Sequence, residues 1–393
     1  MKTLNIDNGS RVFAQKSYNT HHADPGFVIS LILLSGLGLV SLYFSSAGYA
    51  MRAFGDELYF VKRQFISFAV GFVFLAVMSV VSFDFLRKLL PYIYIGTLIL
   101  CLMTFLPYIG VERNNARRWI RFPLIGTFQP SELAKFAVIL FLANWFDKHG
   151  DKLNDSSFGI WQVVIGLFSV VLIVFLQNDF STAFFIMVIG LSMLFIAGLK
   201  ISWFIGFCVF SLPIVILFIF TKTYRVNRLI AFFNPEKYSH GANYQVNAAG
   251  RAIASGRFFG DGFGGGIKRI DSVPEAQSDF VFAGWAESMG YLGVILFFAL
   301  VLYFAYRGFV IAFRCKDKCR SYTAFGIVTS IVLQILLNCG VVVGALPSTG
   351  IPLPFFSSGG SSVITTLLMC GVVINISKFD NESMEFSYGQ QYE

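Results

Sequence analysis

The stretch FVISLILLSGLGLVSLYFS, residues 27–45, decides the class of this protein. It carries no charge, and at about 1.5 Å of rise per residue a helix of this length approaches the roughly 30 Å of a bilayer's hydrocarbon core. Working outward, comparable apolar stretches lie near 64–83, 89–108, 133–146, 159–176, 180–199, 201–220, 284–306, 322–345 and 359–377. With the first they make ten, although 133–146 is short and needs flanking residues or thinned lipid. Backbone groups in hydrocarbon must pair within their own segment, so these stretches read as helices. No aromatic-girdled alternation of the kind that builds an outer-membrane barrel is present. The expected fold class is therefore an all-α polytopic membrane protein with about ten transmembrane helices. Residues 1–26 read as a polar cytoplasmic tail, 27–377 as the membrane domain, and 378–393 as a second cytoplasmic tail. A large external loop, 221–283, falls between helices 7 and 8.

Composition agrees. Of 393 residues, 56% are hydrophobic, 13% are charged and 46 are phenylalanine, with a mean hydropathy of +0.68. A soluble fold has too little interior to hide that much apolar surface, which excludes a cytosolic enzyme, a secreted disulfide scaffold and a disordered chain. The first 26 residues lack the early apolar core of a signal peptide. Cys101, Cys208, Cys339 and Cys370 lie in apolar segments and act as small hydrophobes. Cys315 and Cys319 sit in CKDKC with no second pair and no nearby histidine, so neither a zinc site nor a disulfide framework is expected.

Orientation follows from the basic residues. The net charge of +8 is spread along the chain rather than gathered into a nucleic-acid-like block. A raw count of Lys and Arg slightly favours the N-terminus outside, but the rule is weighted to short loops. The cluster Arg314, Lys316, Lys318 and Arg320 between two helices places both termini in the cytoplasm. That choice leaves Arg113, Arg117, Arg118 and Arg121 external and close to the membrane, with Arg225, Arg228, Arg251, Arg257, Lys268 and Arg269 in the large loop. Either the topology is inverted or these cations face an anionic ligand such as a phosphate. Charge alone does not separate the two.

Several stretches carry candidate chemistry. In NNARRWI, 114–120, paired asparagines permit a turn and Trp119 suits an interface, so an interfacial turn with headgroup contacts is expected. In FQPSELAK, 128–135, Pro130 and Ser131 suit a helix start and Glu132 complements its positive end. Lys135, one turn in, opposes the dipole, which points to a buried Glu132–Lys135 ion pair and hence a site. Asp179 in QNDFST reads first as a helix N-cap and second as support for that site. The run GDGFGG, 260–265, fits a dinucleotide fingerprint but follows no strand, so its glycines are expected to turn tightly over a substrate or the membrane surface. In PEAQSDFVFAGWAESMG, 274–290, position alone favours Asp279 as an N-cap, with a general base of raised pKa as the functional alternative; Glu287, two turns on, needs a partner if buried. Finally LPSTGIPLPFFSSGGSS, 346–362, cannot be regular helix around Pro352 and Pro354, and reads as a re-entrant plug or a groove for a lipid tail.

Taken in order, NNARRWI, FQPSELAK, QNDFST, Arg228-Leu with FFNP at 232–235, Tyr244-Gln245, PEAQSDFVFAGWAESMG and LPSTGIPLPFFSSGGSS resemble the SEDS family, the FtsW and RodA group, over nearly all of 27–377. The resemblance implies a peptidoglycan glycosyltransferase of the bacterial cytoplasmic membrane, its active site facing outward. The implied substrate is lipid II, a disaccharide-pentapeptide on an undecaprenyl-pyrophosphate carrier. The implied partners are a class B penicillin-binding protein that crosslinks the glycan, other divisome proteins and membrane lipid, with no nucleic acid. Asp279 falls at the family's catalytic aspartate. Arg117, Arg118, Glu132 and Lys135 match its cavity residues, and Gln129, Ser131, Asp179, Arg228, Gln245, Glu287, Pro352 and Ser358 complete the expected substrate site. A divalent cation, magnesium or manganese, is the one cofactor expected. The chain departs from the family at Gln277-Ser278 for His-Thr, Ser288 for the second Glu, Asn115 for Gly and Asn178 for Pro; Gln277 cannot carry a proton as histidine can. The Pro-Glu-Ala wording is closer to the division members, FtsW, than to the elongation members, RodA. A lipid II flippase and a non-catalytic scaffold for a transpeptidase are the competing functions.

Overall fold

The computed structural model describes residues 22–113, 116–122, 126–150, 158–206, 209, 220, 223–233, 243–262, 273 and 275–389. Most of the apolar stretch 201–220, most of the N-terminal tail and residues 263–272 of the large loop, with part of its glycine run, lie outside them, as do Asn114, Asn115, Pro235 and Pro274.

The elements in chain order are α1 Pro25–Phe54, α2 Tyr59–Val80, α3 Phe83–Met103, β1 Gly110–Arg113, β2 Ala116–Phe122, β3 Gly126–Phe128, α4 Pro130–His149, α5 Phe158–Leu176, α6 Phe180–Ile196, α7 Thr223–Phe233, α8 Tyr244–Ser255, α9 Val281–Arg314, α10 Lys318–Val342 and α11 Gly360–Gly389. Their ends follow local chemistry. Asp24 accepts from Phe27 N at 2.8 Å and Pro25 opens α1, while Gly55 closes it at φ 69°. Asp317 caps α10 by accepting from Arg320 N at 2.8 Å.

The chain is a predominantly α-helical polytopic membrane protein. Among the described residues six helices are long and apolar enough to cross a bilayer: α1, α2, α3, α9, α10 and α11 over Gly360–Phe379; Ile160–Leu176 and Phe180–Ile196 are shorter apolar helices. α4 begins at Pro130 and runs to His149, longer than the apolar stretch 133–146 that marks it. The difference is physical: its first two turns carry Glu132 and Lys135, which are sheltered by protein rather than excluded from the helix. α4 is buried nearly all round, against α3, α10, α6 and α5, and is the central helix of the bundle. α2 packs chiefly on α11 and turns Phe65, Ile66, Val73 and Val80 outward, an apolar wall of the kind lipid covers.

Two features depart from the sequence reading. The ARRWI stretch expected to be an interfacial turn is strand β2, the centre of a three-stranded antiparallel sheet, pairing Val111 with Trp119 and Ile120 with Phe128. Trp119, Ile120 and Phe122 are residue types that favour strand, and Ala116 and Ile120 are buried on one face while Arg117 and Arg121 are exposed on the other; this two-residue period outweighs the turn signal before it. In its described part the glycine run turns tightly onto the protein's own backbone. Gly260, at φ 79°, lies on the backbone of Ser288 and Met289, beside a break in α9 at Gly290, φ 62° and ψ −163°. Tyr291 N donates to Arg257 O at 2.9 Å, Leu292 N to Phe258 O at 3.1 Å and Asp261 N to Glu287 O at 3.1 Å. The loop therefore satisfies the backbone groups that the broken helix leaves open, and side chains at either glycine would collide with backbone.

Candidate active site at the start of helix nine

Asp279 ends a turn, residues 275–279, that leads into α9. It is not the N-cap that its position suggests: Phe280 takes that place, and no side chain caps the helix. The carboxyl is thereby free of the helix and turned toward Gly350, where a Cβ would stand 3.4 Å from its Oδ2.

Three consecutive carbonyls hold this turn. Gln277 O accepts from Ser358 N at 2.9 Å, Ser278 O accepts from the Ser357 hydroxyl, and Asp279 O accepts from Asn338 Nδ2 at 3.0 Å. Asn338 Nδ2 also donates to Ile351 O at 2.9 Å. One turn earlier on α10, Gln334 Nε2 donates to Pro352 O at 2.8 Å and its Oε1 accepts from Lys135 Nζ at 2.7 Å. Lys135 Nζ in turn lies 2.8 Å from Glu132 Oε2, both side chains being about 2–3% exposed. A polar rail thus runs from the buried pair on α4, through two amides of α10 and the 351–358 segment, to the backbone of Asp279. Pro352 and Ser358 enter this rail through backbone groups.

A second cluster stands on β2 and the α5–α6 junction. Asp179 caps α6 by accepting from Thr182 N at 3.4 Å, as its sequence position suggests. The same carboxylate pairs with Arg118 at 3.4 Å and accepts from Gln129 Nε2 at 3.1 Å, and Gln129 also donates to Ser131 Oγ at 3.1 Å. Arg118 Nη2 donates to Asn178 O at 2.7 Å. Asn178 sits at φ 61°, a conformation closed to proline.

Electrostatics joins the clusters. Burial pushes the Asp279 carboxyl up to about 6, with Glu275 adding to the rise, while the Arg228 and Arg118 cations pull it down. Both arginines therefore act on Asp279. Arg228 is anchored by donating to Ser348 O at 3.1 Å. Arg117 is not brought to the site: successive strand side chains point to opposite faces, and it is exposed and paired with Glu112 at 3.1 Å. Glu287 is fully buried two turns along α9, where Ser255 Oγ donates to it at 3.3 Å, and it supports the α8–α9 contact rather than the carboxyl of Asp279. Gln245 lies half-buried at the start of α8.

Fold and site together can be set beside known proteins. The "Cell cycle protein" family model FTSW_RODA_SPOVE matches residues 26–382. The chain belongs to this FtsW/RodA/SpoVE family. It is 36% identical over 348 residues to a probable peptidoglycan glycosyltransferase FtsW of Geobacter sp. (strain M18), covering 88% of this chain and 94% of that one. It is 32% identical to stage V sporulation protein E of Bacillus subtilis, covering 90% and 96%. Among solved structures, a chain from work on the coordination of polymerization and crosslinking by a peptidoglycan synthase complex matches with a TM-score of 0.75 and 26% identity, covering 91% of this chain and 98% of that one. The rod shape determining protein RodA of Thermus thermophilus matches at 0.65 and 25%, covering 90% and 96%. As an FtsW/RodA/SpoVE member the chain is a multi-pass protein of the cytoplasmic membrane.

Sequence reasoning missed Asn338, Gln334, Ser357 and Gly350. A signal was there: Gln334 and Asn338 are amides four apart inside an apolar run, hence on one helix face, and polar side chains in a membrane helix need partners.

Proposed function

We propose that this chain is a peptidoglycan glycosyltransferase that polymerises lipid II at the outer face of the cytoplasmic membrane, with Asp279 as general base. The observation that carries the reading is the setting of Asp279: a carboxyl raised to about 6, gripped through three successive carbonyls, with two arginine charges acting on it. A base whose pKa lies near the working pH both ionises and accepts a proton with useful driving force. The acceptor sugar's 4-hydroxyl gives its proton to Asp279 as its oxygen attacks the anomeric carbon of the carrier-linked sugar. The bond from that carbon to the pyrophosphate oxygen breaks, and the electron pair leaves with the pyrophosphate. Arg118 and Arg228 supply the positive charge that such a leaving group requires. A single displacement inverts an α-linked donor to a β-linked strand, so one base suffices.

A divalent cation suits part of this chemistry, because it would neutralise the departing pyrophosphate. Among the described residues no group of three or more His, Cys, Asp or Glu gathers to hold one. Glu275, beside Asp279, offers a hard oxygen donor of the type magnesium or manganese takes when substrate phosphates and water complete the shell. The partner that fits is a class B transpeptidase; the family's presence in a peptidoglycan synthase complex supports it. Flippase activity fits less well, since the Glu132–Lys135 pair is sealed from solvent rather than set along a wet path.

The test is purified protein in lipid nanodiscs with lipid II, with and without its transpeptidase, resolved on gels. Strand formation supports the reading. Transfer of lipid II across a liposome membrane without any strand would replace it with the flippase.

A further inference from the structure

A cavity of about 480 Å³ opens between α7, α8 and the turn after α10, within the size range of small-ligand pockets, roughly 300–1,000 Å³. None of the residues described so far as holding the turn of Asp279 lines it, yet it adjoins the site. Ser348, on its wall, is the residue whose carbonyl anchors Arg228, and two residues on, Gly350 packs beside the Asp279 carboxyl.

Its lining is mixed in a particular way. Asn247 and Arg251 are four apart on α8 and share its cavity face, with Gly250 beside them, open to space on its Cβ side. Among the described residues neither Asn247 nor Arg251 has a side-chain hydrogen bond or ion pair. Phe232 and Leu346 add apolar surface, and no acidic side chain lines the cavity among the described residues. An aromatic and aliphatic surface suits the apolar face of a sugar ring. A free side-chain amide suits an N-acetyl group, and an arginine fork suits a carboxylate. A lipid tail would leave the amide and the guanidinium unused, and a cation would find no anionic donor.

We infer that this cavity binds the growing glycan strand, an N-acetylated saccharide with carboxylate-bearing stems, next to the base that extends it. This rests on the polymerase reading above and adds to it a place where the product is held between additions. A strand gripped here stays in register for the next displacement, so the cavity governs strand length rather than the first bond.

The test uses full-length protein in lipid nanodiscs carrying Asp279→Asn, so that a strand can bind without being extended. The probe is a carrier-free glycan oligomer with its peptide stems, titrated by calorimetry. The expected result is binding that weakens about tenfold on adding Gly250→Trp, which fills the cavity, or Arg251→Ala, which removes one exposed charge without altering packing. On the active background, Gly250→Trp and Arg251→Ala are expected to shorten the strands seen on gels while lipid II consumption still begins. Unchanged oligomer affinity in both variants overturns the assignment, as does loss of lipid-linked monomer binding with oligomer binding intact. These outcomes are distinct from failure of the polymerase reading, which would show as no strand synthesis by the wild-type protein whatever the oligomer does.

Discussion

Holding Asp279 where it can act as a base has a cost to stability that Asp279→Asn removes. Its folded pKa of about 6 lies above the ordinary 3.8 because burial disfavours the charged carboxylate. A tenfold change in proton affinity corresponds to about 1.4 kcal/mol, so the rise from 3.8 to about 6 costs at most about 3 kcal/mol once the group is ionised, and solvent reaching the partly exposed carboxyl reduces this. The sign follows from linkage. Because the folded pKa is raised, the folded state binds more protons between about pH 4 and 6, and stability falls as pH rises through that window. Below it the carboxyl is protonated folded and unfolded alike, and the cost vanishes. Asparagine is neutral throughout and can still accept and donate hydrogen bonds. Thermal unfolding of wild type and Asp279→Asn in the same detergent at about pH 7.5 and about pH 3 is the assay. The variant is expected to melt a few degrees higher at the upper pH and to coincide with wild type at the lower. Equal melting at both values, or a variant less stable at the upper one, would refute the argument that desolvation sets this carboxyl.

Further expectations follow from the same geometry. Polymerisation rate is expected to fall as pH is lowered through about 6, following ionisation of Asp279; a rate flat from about pH 7.5 to 5 would separate the reaction from this group. Asn338→Leu removes the donor to Asp279 O and Ile351 O. It is expected to cost about 1–3 kcal/mol in stability and to lower kcat far more than it raises KM, whereas equal loss in both would mark a purely structural role. Lys135→Met leaves Glu132 buried without its cation and is expected to cost about 3–5 kcal/mol, much of it recovered in Glu132→Gln/Lys135→Met; a double variant no better than the single would show that the pair is not the unit.

The bundle was legible because lipid makes a simple demand. Long uncharged runs must become helices, and the apolar stretches match α1, α2, α3, α5, α6, α9, α10 and α11 to within a few residues at most ends. Where charge enters a helix the rule weakens, which is why α4 reads as short although Pro130 marks its start. Asp179 as a cap, and Glu132 with Lys135 as a pair, followed from spacing along one helix. What could not be read was anything depending on distant segments meeting. The same boundary position that makes Asp179 a cap leaves Asp279 uncapping, because the 351–358 segment and Asn338 claim the backbone of its turn instead. Arg117 and Arg118 are adjacent in sequence, yet a strand separates them onto opposite faces, and only the strand shows which one meets Asp179. The glycines near 260 signalled tight turning, but their partner, the break at Gly290, lies thirty residues on and is a property of the packed pair.

The central claim is that sugars are joined at Asp279. Lipid II polymerisation by purified wild-type and Asp279→Asn proteins, each with its transpeptidase partner and each shown by thermal melt to be folded at the assay temperature, tests it most directly. The account predicts glycan strands from the wild type and none from the variant. Strands of normal yield from the variant would contradict it.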